Sequence, residues 1–211
     1  MLVFDWDGTV IDSASTIAEC IRLAAGDIGL AVPTKEQASH VIGLGLHDAL
    51  KYAVPDLRGE QMSEFVARYR HHFLSREDAM GLFDGMRQLL ADLHREKTLG
   101  IATGKSRRGL DRSLEATGLR PYFHASRCAD ETHPKPHPAM LMELMQEFDV
   151  PAEQMLMIGD TSHDLDMARA AGVDALAVTY GAHAETGLRA CQPRGCVGSV
   201  AELRQWLSAN A

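Results

Sequence analysis

The chain lacks the features that mark several large classes of protein. No apolar run approaches the roughly 20 residues that a membrane-spanning helix needs, so no membrane partner is expected. Its four cysteines (Cys20, Cys128, Cys191, Cys196) are too scattered in 211 residues to suggest a disulfide framework. A reduced, cytoplasmic protein is the simple expectation. Only Cys191 and Cys196 lie close enough to raise a pair or half a metal site, and ordinary thiols are the plainer reading. Positive charge is also scarce: 21 Lys and Arg against 29 Asp and Glu give a formal net charge of -8. That balance argues against a nucleic-acid partner, because a phosphate backbone calls for a basic face. The first residues enter an apolar run with no basic stretch or cleavage site, so no secretory signal is expected. There are no repeats or low-complexity tracts. Hydrophobic residues at 45% and charged residues at 24% are ordinary globular values, enough for one large domain or a core with an insert.

Against that plain background stands Val3-Phe4-Asp5-Trp6-Asp7-Gly8-Thr9-Val10. An apolar run from Leu2 ends in two carboxylates one residue apart, followed by Gly and Thr. If Leu2 to Phe4 is a buried strand, Asp5 lies at its carboxyl end, where open α/β sheets place their ligands. Gly8 lets the backbone turn, and Thr9 can offer a hydroxyl and an amide to a phosphate.

The rest of the chain divides in two. From about 14 to 80 the pattern is all helix with no strand candidate. Ser13 is placed to cap a helix to about Asp27. Thr34 and Gln37 have capping-box spacing, and helices follow from about His47 to Ala53 and Glu60 to Arg76. After Phe83-Asp84-Gly85, strands and helices alternate. The strands fall near Leu99–Thr103, Phe123–Cys128, Met155–Ile158, Asp174–Val178 and Val197, with a helix from about Lys105 to Thr117 among the connections. Such alternation predicts parallel βαβ units and a doubly wound α/β sheet. The expected organisation is therefore an α/β core from 1–13 and 81–211, with an inserted all-helical domain at 14–80.

A parallel sheet brings its strand ends to one edge. That would gather Asp5 and Asp7, Thr103-Gly104-Lys105, and Gly159-Asp160-Thr161 with Asp164. Lys135 lies between prolines in His133-Pro134-Lys135-Pro136-His137-Pro138, a stiff loop that could hold an ammonium in place. Asp5, Asp7, Asp160 and Asp164 on one edge would repel; two charges about 4 Å apart cost on the order of 4 kcal/mol at an effective dielectric near 20. A divalent cation removes that cost, and hard oxygen ligands with room for water and phosphate suit Mg²⁺. Lys135 and Thr103 would complete a pocket for a phosphoryl group.

These four motifs and the helical insert resemble the haloacid dehalogenase-like superfamily, in particular its phosphatases with a helical cap, of the phosphoglycolate phosphatase type. The resemblance covers roughly residues 2 to 180 and implies a Rossmann-like core. It also implies a Mg²⁺-dependent phosphatase acting on a small phosphorylated metabolite, such as a phosphoglycolate-like compound or a sugar phosphate, as a monomer or homodimer. Asp5 would be the nucleophile that becomes an aspartyl-phosphate, and Asp7 the general acid and base, its backbone carbonyl also on the metal. Thr103, the Gly104 amide and the backbone around Gly8 would hold phosphate oxygens. Lys135 would stabilise the nucleophile and the phosphoryl group. Asp160 would bind Mg²⁺, and Asp164 would coordinate it or orient its waters. Gly43-Leu44-Gly45-Leu46-His47 resembles the family's cap loop, which would let His47 touch substrate.

Two departures stand out: Trp6 replaces a usual aliphatic and Gly104 a frequent Asn, and both bear on the substrate side. The second acid, Asp7, is missing in the dehalogenases, so dehalogenation is not expected. A sugar phosphomutase or a pyrophosphatase with the same core remains an alternative. A non-catalytic receiver-like module is a remoter one.

Overall fold

A computed structural model describes residues 1–210, the side chain of Asp78 excepted. Six strands form one parallel sheet: β1 (Leu2–Phe4), β2 (Leu99–Thr103), β3 (Ala125–Cys128), β4 (Leu156–Gly159), β5 (Asp174–Val178) and β6 (Gly195–Val197). Their order across the sheet is β3-β2-β1-β4-β5-β6, so β1 is central and the order reverses beside it. A receiver-type sheet has the order 2-1-3-4-5, which sets the receiver-like alternative aside.

Alternation along β1 sorts the core into two faces. Leu2 and Phe4 point into one apolar cluster, packed under α5 (Met86–Leu93), α6 (Arg107–Thr117) and α10 (Val200–Asn210). Val3 points into the other, under α7 (Ala139–Phe148), α8 (Ser162–Ala170) and α9 (Glu185–Ala190). Trp6 is fully buried in the first cluster, edge-on to Phe123 at 5.9 Å, with its indole N–H donated to Ser113 Oγ at 2.9 Å. The expectation that Trp6 bears on the substrate side is thus corrected: its bulk serves the core.

The chain leaves the sheet after Ile11 and returns at Leu82, where the two residues bridge antiparallel. Between them lie α1 (Ala14–Asp27), α2 (Lys35–His40), α3 (Leu46–Ala53) and α4 (Met62–Leu74), around an apolar cluster of their own. The capping box at Thr34 and Gln37 forms as the spacing predicts. Ser13 does not cap α1, because its hydroxyl is committed elsewhere. Helix α6 starts at Arg107 rather than about Lys105, since Ser106 accepts the Gly109 N–H and fixes the first turn. Lys105 is thereby left in the loop at the end of β2.

Candidate active site

The end of β1 extends one residue past the strand: the Asp5 N–H donates to Ile158 O at 2.9 Å, which pins Asp5 between β1 and β4. Asp5, Asp160 and Asp164 are each buried, and one carboxylate oxygen from each falls within 4.8 Å of the others. Lys135 is buried with them, its Nζ 2.7 Å from Asp5 Oδ1 and 2.6 Å from Asp164 Oδ1. The sequence separates these residues by up to 159 positions; parallel topology and the stiff loop before α7 bring them together.

Each acid is held differently. Asp164 Oδ2 accepts from the Thr161 N–H and hydroxyl, at 3.1 and 2.7 Å, so both its oxygens are in use. Asp160 accepts from the Thr9 hydroxyl on Oδ1 and the Ala182 N–H on Oδ2, both at 2.7 Å. The Thr9 hydroxyl therefore faces an acid, not an open phosphate position. Asp5 has only its ion pair; neither of its buried oxygens receives a well-directed hydrogen bond. Buried polar atoms are nearly always satisfied, so this orphaned pair calls for a ligand.

Three carboxylates face one ammonium. Burial pushes the Asp5 carboxyl well above its ordinary value, more than Lys135 pulls it down, and Asp164 and Asp160 add to the rise. Burial and the Asp164 charge push Asp160 up to about 7, against the hydrogen bonds from Ala182 and Thr9. Burial alone would lower Lys135, but Asp164 and Asp5 overcome it and raise it above its ordinary value. The arrangement lacks positive charge. A hard divalent cation on Asp5 and Asp160 would supply it, and these oxygen ligands fit one such as Mg²⁺.

Asp7 stands apart from this cluster. Its Oδ1 accepts from Ser13 Oγ at 2.7 Å and lies 3.0 Å from Lys105 Nζ, while Oδ2 accepts no hydrogen bond from the described residues. The expectation that Asp7 joins the metal acids is therefore not carried by its carboxylate. Thr103 is buried and its Oγ1 accepts the Lys105 N–H at 3.2 Å, which leaves its hydroxyl hydrogen free to donate. At Gly104 an added Cβ would lie 2.5 Å from Leu44 O and 2.6 Å from Gly43 O. The helical segment's loop packs on that glycine, and an Asn there would collide with it. Gly8, with φ 82°, faces Asp160 in the same close way.

A cavity of about 390 Å³ lies between the helical segment and the sheet edge, lined among others by Asp5, Asp7, Leu44, His47, Gly104 and Lys105. His47 is exposed at this lining. Sequence reasoning missed the roles of Ser13, Lys105, Thr161 and Ala182. Of these, only the place of Lys105 beside Thr103 gave a signal.

The family model described as haloacid dehalogenase-like hydrolase matches residues 2–178. The chain is 35% identical to the "Probable phosphatase IndB" of Dickeya dadantii over 96% of this chain and 91% of that protein. It is 32% identical to the phosphoglycolate phosphatase of Aliivibrio fischeri over 86% of this chain and 84% of that one. The crystal structure of a hydrolase from Pseudomonas syringae superposes with a TM-score of 0.90 over 100% of this chain and 98% of that chain, at 20% identity. With three strand-end motifs and the Lys135 loop meeting at one sheet edge, the chain belongs to the haloacid dehalogenase-like hydrolases.

Proposed function

We propose that the protein is a Mg²⁺-dependent phosphatase that hydrolyses a small phosphomonoester through an aspartyl-phosphate on Asp5. The observation that carries this reading is the orphaned, buried Asp5 carboxylate held against Lys135 and facing the cavity. Phosphatase names among the relatives support it.

Asp5 attacks phosphorus as its bond to the ester oxygen breaks, and Asp7 gives that oxygen its proton. Asp7 then takes a proton from the water that cleaves the acyl-phosphate, which restores Asp5. Asp7 suits this exchange because Ser13 and Lys105 fix one of its oxygens and leave the other unpartnered. The Thr103 hydroxyl and the Gly104 amide hold the phosphoryl oxygens; the Gly8 N–H is already donated to Ile11 O at 2.9 Å and serves the turn instead. Lys135 offsets the charge of the phosphoryl oxygens, and Asp164 positions Lys135. Asp5, Asp160 and the Asp7 carbonyl would hold Mg²⁺, which would supply positive charge to the phosphoryl group. Residues 14–80 act as a cap that excludes water and reads the leaving group, with His47 in its loop. Four unbridged cysteines accord with a reducing cytoplasm.

Phosphate release from a panel of phosphorylated metabolites, with and without Mg²⁺, tests the assignment. Asp5→Asn is expected to abolish turnover while the protein keeps its circular dichroism and melting behaviour. Retained turnover in that variant removes Asp5 as nucleophile.

A further inference from the structure

The cavity is large for a two-carbon acid. Pockets of roughly 300–1,000 Å³ hold drug-sized ligands, and this one, at about 390 Å³, extends well beyond the space one phosphoryl group needs. An apolar part of its lining comes from two helices of the insert: Ile17 and Ile21 on α1, Tyr69 and Phe73 on α4. Tyr69 and Phe73 are one turn apart, so they share a face, and their rings stack at 5.9 Å and 25°. The Tyr69 ring is half-buried, and its hydroxyl has no hydrogen-bond partner among the described residues. Burial pushes that phenol above its ordinary value, so it stays a neutral donor at physiological pH.

Two of the three permanent cations lining the cavity are paired. Lys105 pairs with Asp7 at 3.0 Å, and Arg112 with Glu77 at 2.7 Å. Asp5, Asp7, Asp48 and Asp130 line the space against Lys105, Arg70 and Arg112, four carboxylates to three permanent cations. The four side chains of the apolar lining themselves carry no charge; Lys105 Nζ, 4.8 Å from the Phe73 ring, is held by Asp7, and Arg70, which makes no ion pair among the described residues, is exposed, as is His47.

We propose that the substrate's leaving group is an uncharged, ring-bearing alcohol whose body lies against Tyr69 and Phe73, which makes these two residues determinants of specificity. This rests on the phosphatase reading above and narrows it from any small phosphomonoester to one class.

Steady-state kinetics of the full-length protein with Mg²⁺ on benzyl phosphate, ethyl phosphate and phosphoglycolate test the proposal. Benzyl and ethyl alcohol are of similar acidity, so their ratio reports recognition rather than leaving-group chemistry. The expected kcat/KM for benzyl phosphate exceeds that for ethyl phosphate by about 30-fold or more, since even one methylene in an apolar pocket is worth roughly 10–200-fold. Phosphoglycolate should do no better than ethyl phosphate. Tyr69→Ala is expected to cut the benzyl-to-ethyl ratio at least about fivefold, mainly through the KM of the benzyl ester, and Tyr69→Phe to keep most of it. A merely structural Tyr69 would lower kcat for all three esters alike and leave the ratio unchanged. Turnover that favours phosphoglycolate, or treats the ethyl and benzyl esters equally, overturns the inference and leaves the phosphatase reading standing. Failure to hydrolyse any of the three esters overturns the inference, and the phosphatase reading falls with it only if the wider metabolite panel is also inert with Mg²⁺ present.

Discussion

A methyl group added to Gly181 would sit 2.2 Å from Asp160 Oδ2, and one added to Gly8 would meet the same oxygen at the same distance. Two backbone segments thus close on one carboxylate, while Thr9 and Ala182 fix its oxygens. Gly181 makes the cleaner test, because Gly8 also has a positive φ that any side chain would strain. Gly181→Ala is expected to displace Asp160 and raise the Mg²⁺ concentration for half-maximal activity about 10–100-fold, the usual effect of disturbing a group that orients a metal ligand. Gly187→Ala, where nothing lies within 4 Å of the added carbon, serves as control and should leave the Mg²⁺ dependence alone. An unaltered titration in Gly181→Ala would remove Asp160 from the metal site. Gly8 was legible in the sequence because it follows two acids at the end of an apolar run. Gly181 was not: it follows β5 in a loop with no periodic signal, and only tertiary closeness gives it meaning. The same holds for the Ser13 hydroxyl, which has the spacing of a helix cap but is drawn to Asp7 by a fold that no local pattern reveals.

At the level of elements, the helical segment is tied to the sheet by a histidine cluster near the acids. The His40 carbonyl, at the end of α2, accepts Nε2–H from His163 at the start of α8 and from His183 after β5, at 2.8 and 3.0 Å. His183 Nδ1 accepts the Ser162 N–H at 3.0 Å, which requires the neutral ring. Burial, with His163 and His40 alongside, pushes His183 down to about 4 from an ordinary 6.5. Below 6.5 the unfolded chain binds a proton that the folded one refuses, so this contribution is present above 6.5 and lost as pH falls toward 4. His183→Gln is expected to be less stable than the parent at pH 7.5 by about 1 kcal/mol in urea unfolding, with the gap closing or reversing by about pH 4.5. A gap that stays constant with pH would show that the ring is not held neutral. The sequence made the elements legible where apolar runs and caps are local: β2 and β5 fall on the residues their patterns predict. It misplaced α6 by two residues because Ser106 outcompetes Lys105 as the helix start, and it gave no sign of the histidine cluster, whose members lie up to 143 positions apart.

Across the whole molecule, the acidic centre couples stability to both pH and cation. Asp160 rises from 3.8 to about 7, and Asp5 moves in the same direction. Between those values the folded protein without metal binds protons that the unfolded chain has released, so its stability falls as pH rises through that window. A cation needs the same carboxylates ionised, so it competes with those protons and binds better as they leave. The increase in melting temperature on adding Mg²⁺, relative to chelator, is therefore expected to be small at pH 5 and to grow to pH 8. At a Mg²⁺ concentration about 100 times its dissociation constant, linkage gives about 2.7 kcal/mol, or roughly 5–10 °C for a chain this long. The histidine contribution is common to both arms and cancels in the difference. Asp160→Asn should shrink the Mg²⁺-dependent gain at pH 8, because it removes a charged oxygen ligand while leaving the polar contacts of an amide. A gain that is flat with pH, or greater in acid, would mean that the acids gathered around Lys135 are a proton-sharing structural knot and not the seat of a metal.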